Sequence, residues 1–257
     1  MVRSSVPRKI LGVIPARFAS TRFPGKVLAH IAGKTMLQHV YERATLCTYL
    51  TSVLIATDDD RVYAAARSFG ARVRMTRSDH LSGTDRVAEV ASAEDAGIIV
   101  NIQGDEPLIS PAAIDAAILP MVHEPELVMG TLKKRIEDPR EITDPNVVKV
   151  VTNRSGDAVY FSRCAIPFER DNSGGTAYFK HIGLYVYRRT FLLAYPELPV
   201  GPLEAAERLE QLRALENGFR IRVVETEYES LGVDTPEDLE RVSRLFDASI
   251  LQGRGIG

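Results

Sequence analysis

"ILGVIPARFASTRFPGK", residues 10–26, decides the class of this fold. Ile10–Pro15 reads as a short buried strand, and it breaks at once into a loop carrying Arg17, Arg22 and Lys26 among Ser20, Thr21, Pro24 and Gly25. The same beat returns further along the chain. "SVLIAT" (52–57), "ARVRM" (71–75) and "GIIVNIQ" (97–103) are strand-like, and helix-period segments follow or separate them at 36–45, 61–69, 85–93 and 111–121. Short apolar strands alternating with amphipathic helices predict a doubly wound α/β domain, its parallel strands covered on both faces. Ligands of such a sheet meet the loops that leave the carboxyl ends of the strands.

After about residue 127 the rhythm changes. "LVMGTLKKR", "NVVKVVT", "AVYFSR" and "HIGLYVYRR" read as strands separated by turn signals, with a loop at 172–175. This predicts a smaller β-rich subdomain at about 133–190, a possible pairing surface. One helix is expected at 203–216, then a strand "IRVVET" (221–226) and a last helix opened by "DTPEDLERV". There Thr235 suits the N-cap, Pro236 the first turn and Asp238 the capping-box position. Leu239, Val242 and Leu245 are the expected buried stripe.

Composition narrows the function classes. The 257 residues carry a net charge of −2, without the basic surplus that bulk binding to nucleic acid needs. Yet residues 1–45 hold eight Lys or Arg and a single acid, Glu42, which suggests an anion site inside a near-neutral protein. Cys47 and Cys164 are too few for a disulfide framework and lack metal-site spacing, so a reducing cytoplasm is the expectation. No signal-peptide core shows at residues 1–9, and no apolar run approaches the roughly 20 residues of a membrane helix.

The opening loop lies on the ligand edge. Three cations packed this closely repel, unless a polyanion sits among them. Arg offers a fork to phosphate and Lys a point charge. An exposed basic loop is the alternative. Neither GxxxxGK[ST] nor GxGxxG is present. "IVNIQGDEPLI" (99–109) places Asp105 at a strand's carboxyl edge, where a carboxylate beside phosphates suits Mg²⁺; a plain Gly-Asp turn fits equally well. Asp234, taken alone, reads as a helix-start acid. "MTRSDHLSGTDR" (75–86) fits a base-reading loop or an ordinary capped helix start. His80 and His181 have no second histidine at metal-ligand spacing, and no GxSxG elbow occurs.

These segments, with "ATDD", "NVVKVV", "YFSRCAIPF", "KHIGLYVYR", "PLEAAERLEQLRALENG" and "GVDTPEDLERV", occur in order from about residue 10 to 245. Together they resemble the CMP-Kdo synthetase (3-deoxy-manno-octulosonate cytidylyltransferase) family. The resemblance implies one domain spanning 1–257, an α/β, mostly parallel, nucleotide-diphospho-sugar transferase-like fold, and a homodimer formed through the β-rich part. It implies that CTP and 3-deoxy-D-manno-octulosonate (Kdo) are joined into CMP-Kdo with release of pyrophosphate, using Mg²⁺, for lipopolysaccharide. Carried over by position, Arg17, Ser20 and Lys26 match the triphosphate loop, and Arg77 and Ser82 the cytosine-side loop. Asp105 and Asp234 match the metal carboxylates. Gln103, Arg163, His181, Tyr185, Glu210 and Gln211 match the Kdo pocket, and Gln103 also borders the nucleotide. Arg17, Lys26 and Asp105 carry the expected catalysis. Without the resemblance, Glu210 and Gln211 read as solvated helix positions, with Glu207 and Gln211 an i,i+4 pair. Thr35 stands where the family commonly has proline, and Asp85 where it has Glu. A related acid sugar (8-amino-Kdo or sialic acid) and a non-catalytic nucleotide-binding protein are the rivals.

Overall fold

The computed structural model of the chain describes residues 9–251 except 21, 81, 172 and 173. The polar start and half of the loop expected at 172–175 therefore lie outside the described residues. The chain forms two compact units, one within Pro7–Asp115 and Ser230–Gly257, the other within Ala116–Glu229.

The first unit runs through β1 (Ile10–Pro15), β2 (His30–Ile31), β3 (Lys34–Thr35), α1 (Met36–Ala44), β4 (Ser52–Thr57), α2 (Asp60–Ser68), β5 (Val73–Met75), α3 (Gly83–Ser92) and β6 (Ile98–Asn101). Its parallel strands lie in the order β6-β1-β4-β5. They are near-continuous apolar runs because helices cover the sheet: Val13, Ile14, Ile55, Ile98 and Ile99 are all fully buried. The chain moves from β1 toward β4 and β5, then returns to β1's other side as β6. That reversal opens a crevice at the carboxyl ends of β1 and β6, and the loops leaving these strands border it. Gly104 lets them meet, since a Cβ there would stand 2.9 Å from the Pro15 carbonyl oxygen.

Local chemistry sets the helix starts. Thr35 caps α1 by accepting from the Gln38 amide at 3.2 Å, which explains a threonine at that position. Ser82 and Asp85 form a reciprocal capping box at α3. α4 (Pro111–His123) then leads out of this unit.

The second unit holds β7 (Met129–Arg135), α5 (Arg140–Thr143), β8 (Lys149–Thr152), β9 (Ala158–Ser162), β10 (Phe179–Arg188), α6 (Arg189–Ala194), α7 (Pro202–Glu207), α8 (Leu212–Glu216) and β11 (Ile221–Glu225). β11 runs parallel to β7, whereas the β7–β10, β10–β8 and β8–β9 pairs are antiparallel. A bulge between Ile182 and Tyr185 shifts the register of β10 against β7. Thr131, fully buried opposite that bulge, has its hydroxyl within 3.1 Å of the Ile182 and 2.8 Å of the Leu184 carbonyl oxygens.

Two expectations are corrected. The single helix at 203–216 is two: α7 ends at Arg208, whose φ of 52° and ψ of 49° are left-handed. Tertiary contacts hold the break. Glu216 accepts from the amides of Leu203 and Glu204 at 2.9 and 3.0 Å, capping the start of α7, and Arg213 meets Glu204 through two hydrogen bonds of 2.8 and 2.7 Å. The second correction concerns α9 (Pro236–Leu251), which returns to the first unit. It starts as expected, with Asp238 N donating to Thr235 Oγ1 at 3.2 Å. Its stripe is Leu239, Val242 and Phe246, packed with Ile31, Met36 and Val233; Leu245 is 41% exposed. A helix advances about 100° per residue, and a step of four from Val242 stays on the face that a step of three leaves.

Candidate active site

The crevice of the first unit is a cavity of about 420 Å³, lined by residues from the loops after β1 and β6 and by Gly83. Arg17, Ser20, Arg22, Lys26, Gln103 and Asp105 all line it. The loop after β1 closes on itself: Gly25, at φ 73°, donates its amide to the Phe18 carbonyl at 2.8 Å. Phe18 is stacked beneath Arg61, whose guanidinium carbon lies 3.3 Å from the ring centroid. This clasp presents Ala19, Ser20, Arg22 and Lys26 to the cavity.

Lys26 is the centre of the site. Its ammonium donates to Asp105 Oδ2 at 2.6 Å, to Asp234 Oδ1 at 2.8 Å and to the Val233 carbonyl at 3.0 Å, with the side chain only 12% exposed. Burial opposes its charge, but Asp105 and then Asp234 outweigh that and raise its pKa. Asp234 also accepts from Arg22 at 2.7 Å. Burial alone would raise the Asp234 pKa; the Lys26 contact, with Arg22 behind it, holds it below the usual carboxylate range. Asp234 is therefore no simple helix-start acid, because Thr235 and Asp238 already perform the capping.

The two carboxylates converge on one cation, and this is the donor set a small hard ion requires. Mg²⁺ takes one or two protein carboxylates and fills its octahedron with phosphate and water oxygens. Asp105 and Asp234 fit that ion on chemistry. Among the described residues no cluster of three or more His, Cys, Asp or Glu could hold a metal without such help.

Arg17 does more than line the cavity. One terminal nitrogen donates to the carbonyls of both His80 and Ser82 at 2.9 Å, tying the first loop to the loop after β5. Burial and the charge of Arg86 lower its pKa, yet a guanidinium stays protonated. The loop after β5 is braced from beneath by Arg86, fully buried between Thr76 and Asp58. Ser82 meets the site through its backbone, because its hydroxyl caps α3. Arg77 is not brought to the cavity; it is exposed and bonded to Asp79.

Arg163, His181, Tyr185, Glu210 and Gln211 all fall in the second unit. His181 lies 2.9 Å from Thr131 Oγ1. That hydroxyl has one proton and faces two carbonyl oxygens, so it accepts from His181, which places the ring proton on Nε2. Burial among protein groups lowers the His181 pKa to about 3, and the ring is neutral at ordinary pH. Phe161 lies edge-on to it at 5.0 Å between centroids, and Tyr185 lies tilted at 5.4 Å. Burial, with Glu210 nearby, raises the Tyr185 pKa well above its ordinary value. Gln211 is 4% exposed, and its Nε2 has no hydrogen-bond partner among the described residues. It is not the solvated helix position that its local sequence suggests. Sequence reasoning also passed over Arg22 as a site residue, and over Gly83 and Gly104. The folded loop turns all three of its cations, Arg17, Arg22 and Lys26, to the cavity.

A family model described as cytidylyltransferase matches residues 11–223. A 3-deoxy-manno-octulosonate cytidylyltransferase of Solibacter usitatus (strain Ellin6076) is 83% identical over 252 residues, covering 98% of this chain and 100% of that protein. One from Geobacter metallireducens is 59% identical, covering 91% of this chain and 96% of its own. Among solved structures, a CMP:2-keto-3-deoxy-manno-octonic acid synthetase complexed with CTP superposes with a TM-score of 0.91 at 46% identity, over 94% of this chain and 99% of that one. A cytidylyltransferase from Leptospira borgpetersenii, at TM-score 0.62 and 19% identity over 93% of this chain and 87% of that one, shares the fold.

Proposed function

We propose, on the premise that the chain belongs to the cytidylyltransferase family, that it transfers CMP from CTP to the anomeric hydroxyl of Kdo and releases pyrophosphate. The product is the activated sugar for lipopolysaccharide. One observation carries this reading: Lys26, Asp105 and Asp234 converge beside a cavity that also holds Arg17, Arg22 and Gln103.

Both substrates are anionic, so bringing the hydroxyl to the α-phosphorus is uphill without cations. Positioning and charge neutralisation therefore dominate the chemistry. Arg17, through the donors it does not give to the loop after β5, and Lys26 hold the phosphates and stabilise the departing pyrophosphate. All three ammonium donors of Lys26 already have acceptors, so it reaches phosphate by exchanging one of them. Asp105 and Asp234 would hold Mg²⁺, which would supply Lewis acidity at the phosphate. Gln103 borders the reacting groups. His181, Tyr185, Glu210 and Gln211 present neutral and acidic hydrogen-bonding groups to the sugar's polyol, and Arg163 meets its carboxylate. The enzyme acts in the cytoplasm as a homodimer paired through the β-rich part, where Val159 and Phe168 are 59% and 86% exposed.

Pyrophosphate release is the direct test, with CTP compared against ATP, GTP and UTP and Kdo against 8-amino-Kdo and sialic acid. Turnover confined to CTP and Kdo, and abolished by a chelator, is expected. Turnover with sialic acid alone, or nucleotide binding without pyrophosphate release, would overturn the reading. Light scattering on the purified protein checks the dimer.

A further inference from the structure

The geometry points to Glu207 as a positioning residue for the acid sugar, holding Arg163 and the 208–211 turn in a single arrangement. Glu207 ends α7. Its Oε1 accepts from Ser162 Oγ at 2.6 Å and its Oε2 from the Arg163 amide at 2.9 Å, while its backbone carbonyl accepts from Arg163 Nε at 2.8 Å. Arg163 NH1 donates to the Pro145 carbonyl at 2.9 Å. From the other side, the fully buried Lys149 donates to the carbonyls of Arg163, Val147 and Asp144 at 2.6, 2.6 and 2.8 Å. The amide, carbonyl and guanidinium of Arg163 are thus each held by a specific partner.

Arg208 then takes its left-handed conformation, and within three residues the chain turns Gln211 inward. The Gln211 Nε2 has no hydrogen-bond partner among the described residues, and an orphaned buried donor calls for a ligand acceptor. Burial pushes the Glu207 pKa up, but the Arg163 amide and then Ser162 bring it below its ordinary value, so its carboxylate is charged. As a mere solvated partner of Gln211, Glu207 would show none of these contacts.

The assignment rests on the proposed function, and its test separates the two. Glu207→Gln keeps size but cannot serve both Oγ–H and N–H donors as a carboxylate does. It should raise the Kdo KM about tenfold, the size of one charge-assisted hydrogen bond. The CTP KM should stay within about twofold, and the melting midpoint within a few degrees. Glu207→Asp, keeping the charge, should recover part of the loss. In an Arg163→Ala background the Glu207→Gln effect should shrink to the part carried by the 208–211 turn, because the rest acts through Arg163. Hydrogen exchange, read without any substrate, should quicken in segments 160–164 and 207–211 alone. Unchanged exchange there, equal effects on both substrates, or additivity with Arg163→Ala would overturn the role. If the wild type released no pyrophosphate from CTP and Kdo, the functional reading would fall, and the exchange data would still decide whether Glu207 holds Arg163.

Discussion

At its crevice the first unit answers charge with charge, whereas around His181 the second buries neutral rings and fixes Arg163 through backbone groups. Around Lys26, two carboxylates and Arg22 lie in contact, and each contact is an ion pair that a competing ion can displace. Around His181, the partners are a buried threonine, aromatic edges and a bulged strand, none of which can be exchanged for solvent. The first arrangement suits a polyanion that enters with a cation. The second suits a polyol that must find its hydroxyls matched by groups already in place.

The sharpest way to break this contrast is at Asp105. Asp105→Asn keeps the shape and removes a hard anionic ligand, and turnover should fall by about 10²–10³ or more while circular dichroism is unchanged. Lys26→Ala should fall by a similar factor, and it also leaves Asp105 and Asp234 facing each other without their ammonium. Its melting midpoint should therefore drop and be restored by added Mg²⁺, an effect a solvent-facing lysine would not produce. Near-normal turnover with unaltered Mg²⁺ dependence in either variant would remove that residue from the charged centre.

On the second unit, Glu210→Ala should raise the Kdo requirement roughly 5- to 150-fold and leave CTP nearly unaffected, as loss of a hydrogen bond to a charged group predicts. The Glu210 carbonyl already accepts from Tyr195 OH at 2.5 Å, which anchors the backbone independently of the side chain. Equal effects on both substrates would indicate a defect in the turn rather than in the sugar contact.

His181 provides a pH test of the neutral pocket. Its folded pKa of about 3 lies below the ordinary 6.5, so the unfolded chain binds the extra proton across that interval. Stability therefore rises with pH between about 3 and 6.5, and is lost as pH falls through that window. His181→Gln should flatten that slope in denaturant titrations run at successive pH values. An unaltered slope would place the ring in water. The smallest expected effect is at Arg77. Its exposed pairing with Asp79 contributes little, so Arg77→Ala should change turnover by less than about threefold. A larger loss would put Arg77 on the nucleotide after all.

Much of the first unit was legible because its information is local. Period-2 and period-3.6 patterns fall within single segments, and Thr35, Ser82 and Thr235 mark helix starts through bonds to residues three positions away. The cationic loop and "NIQGDEPLI" each sit directly after a strand, so the α/β alternation alone puts them on the ligand edge. The second unit was less legible. A helix-period run at 203–216 breaks at Arg208 because Glu216 caps α7 and Glu207 grips Ser162 of β9 and the Arg163 amide just after it, and no helical spacing in that run encodes either contact.

The amino-acid sequence by itself determined the strand–helix alternation, the helix caps, the clustering of cations near residue 20 and the positions that resemble the cytidylyltransferase motifs. Tertiary structure alone decided that Asp234 meets Lys26 across 208 positions and that Arg77 faces solvent. It also decided that Leu245 yields its place to Phe246, and that Gln211 turns inward while Glu207 holds Arg163. The physical reason is range. Backbone preference and hydrophobic period act over a few residues and can be read along the chain. The direction of a long charged side chain is set by partners that only folding brings near.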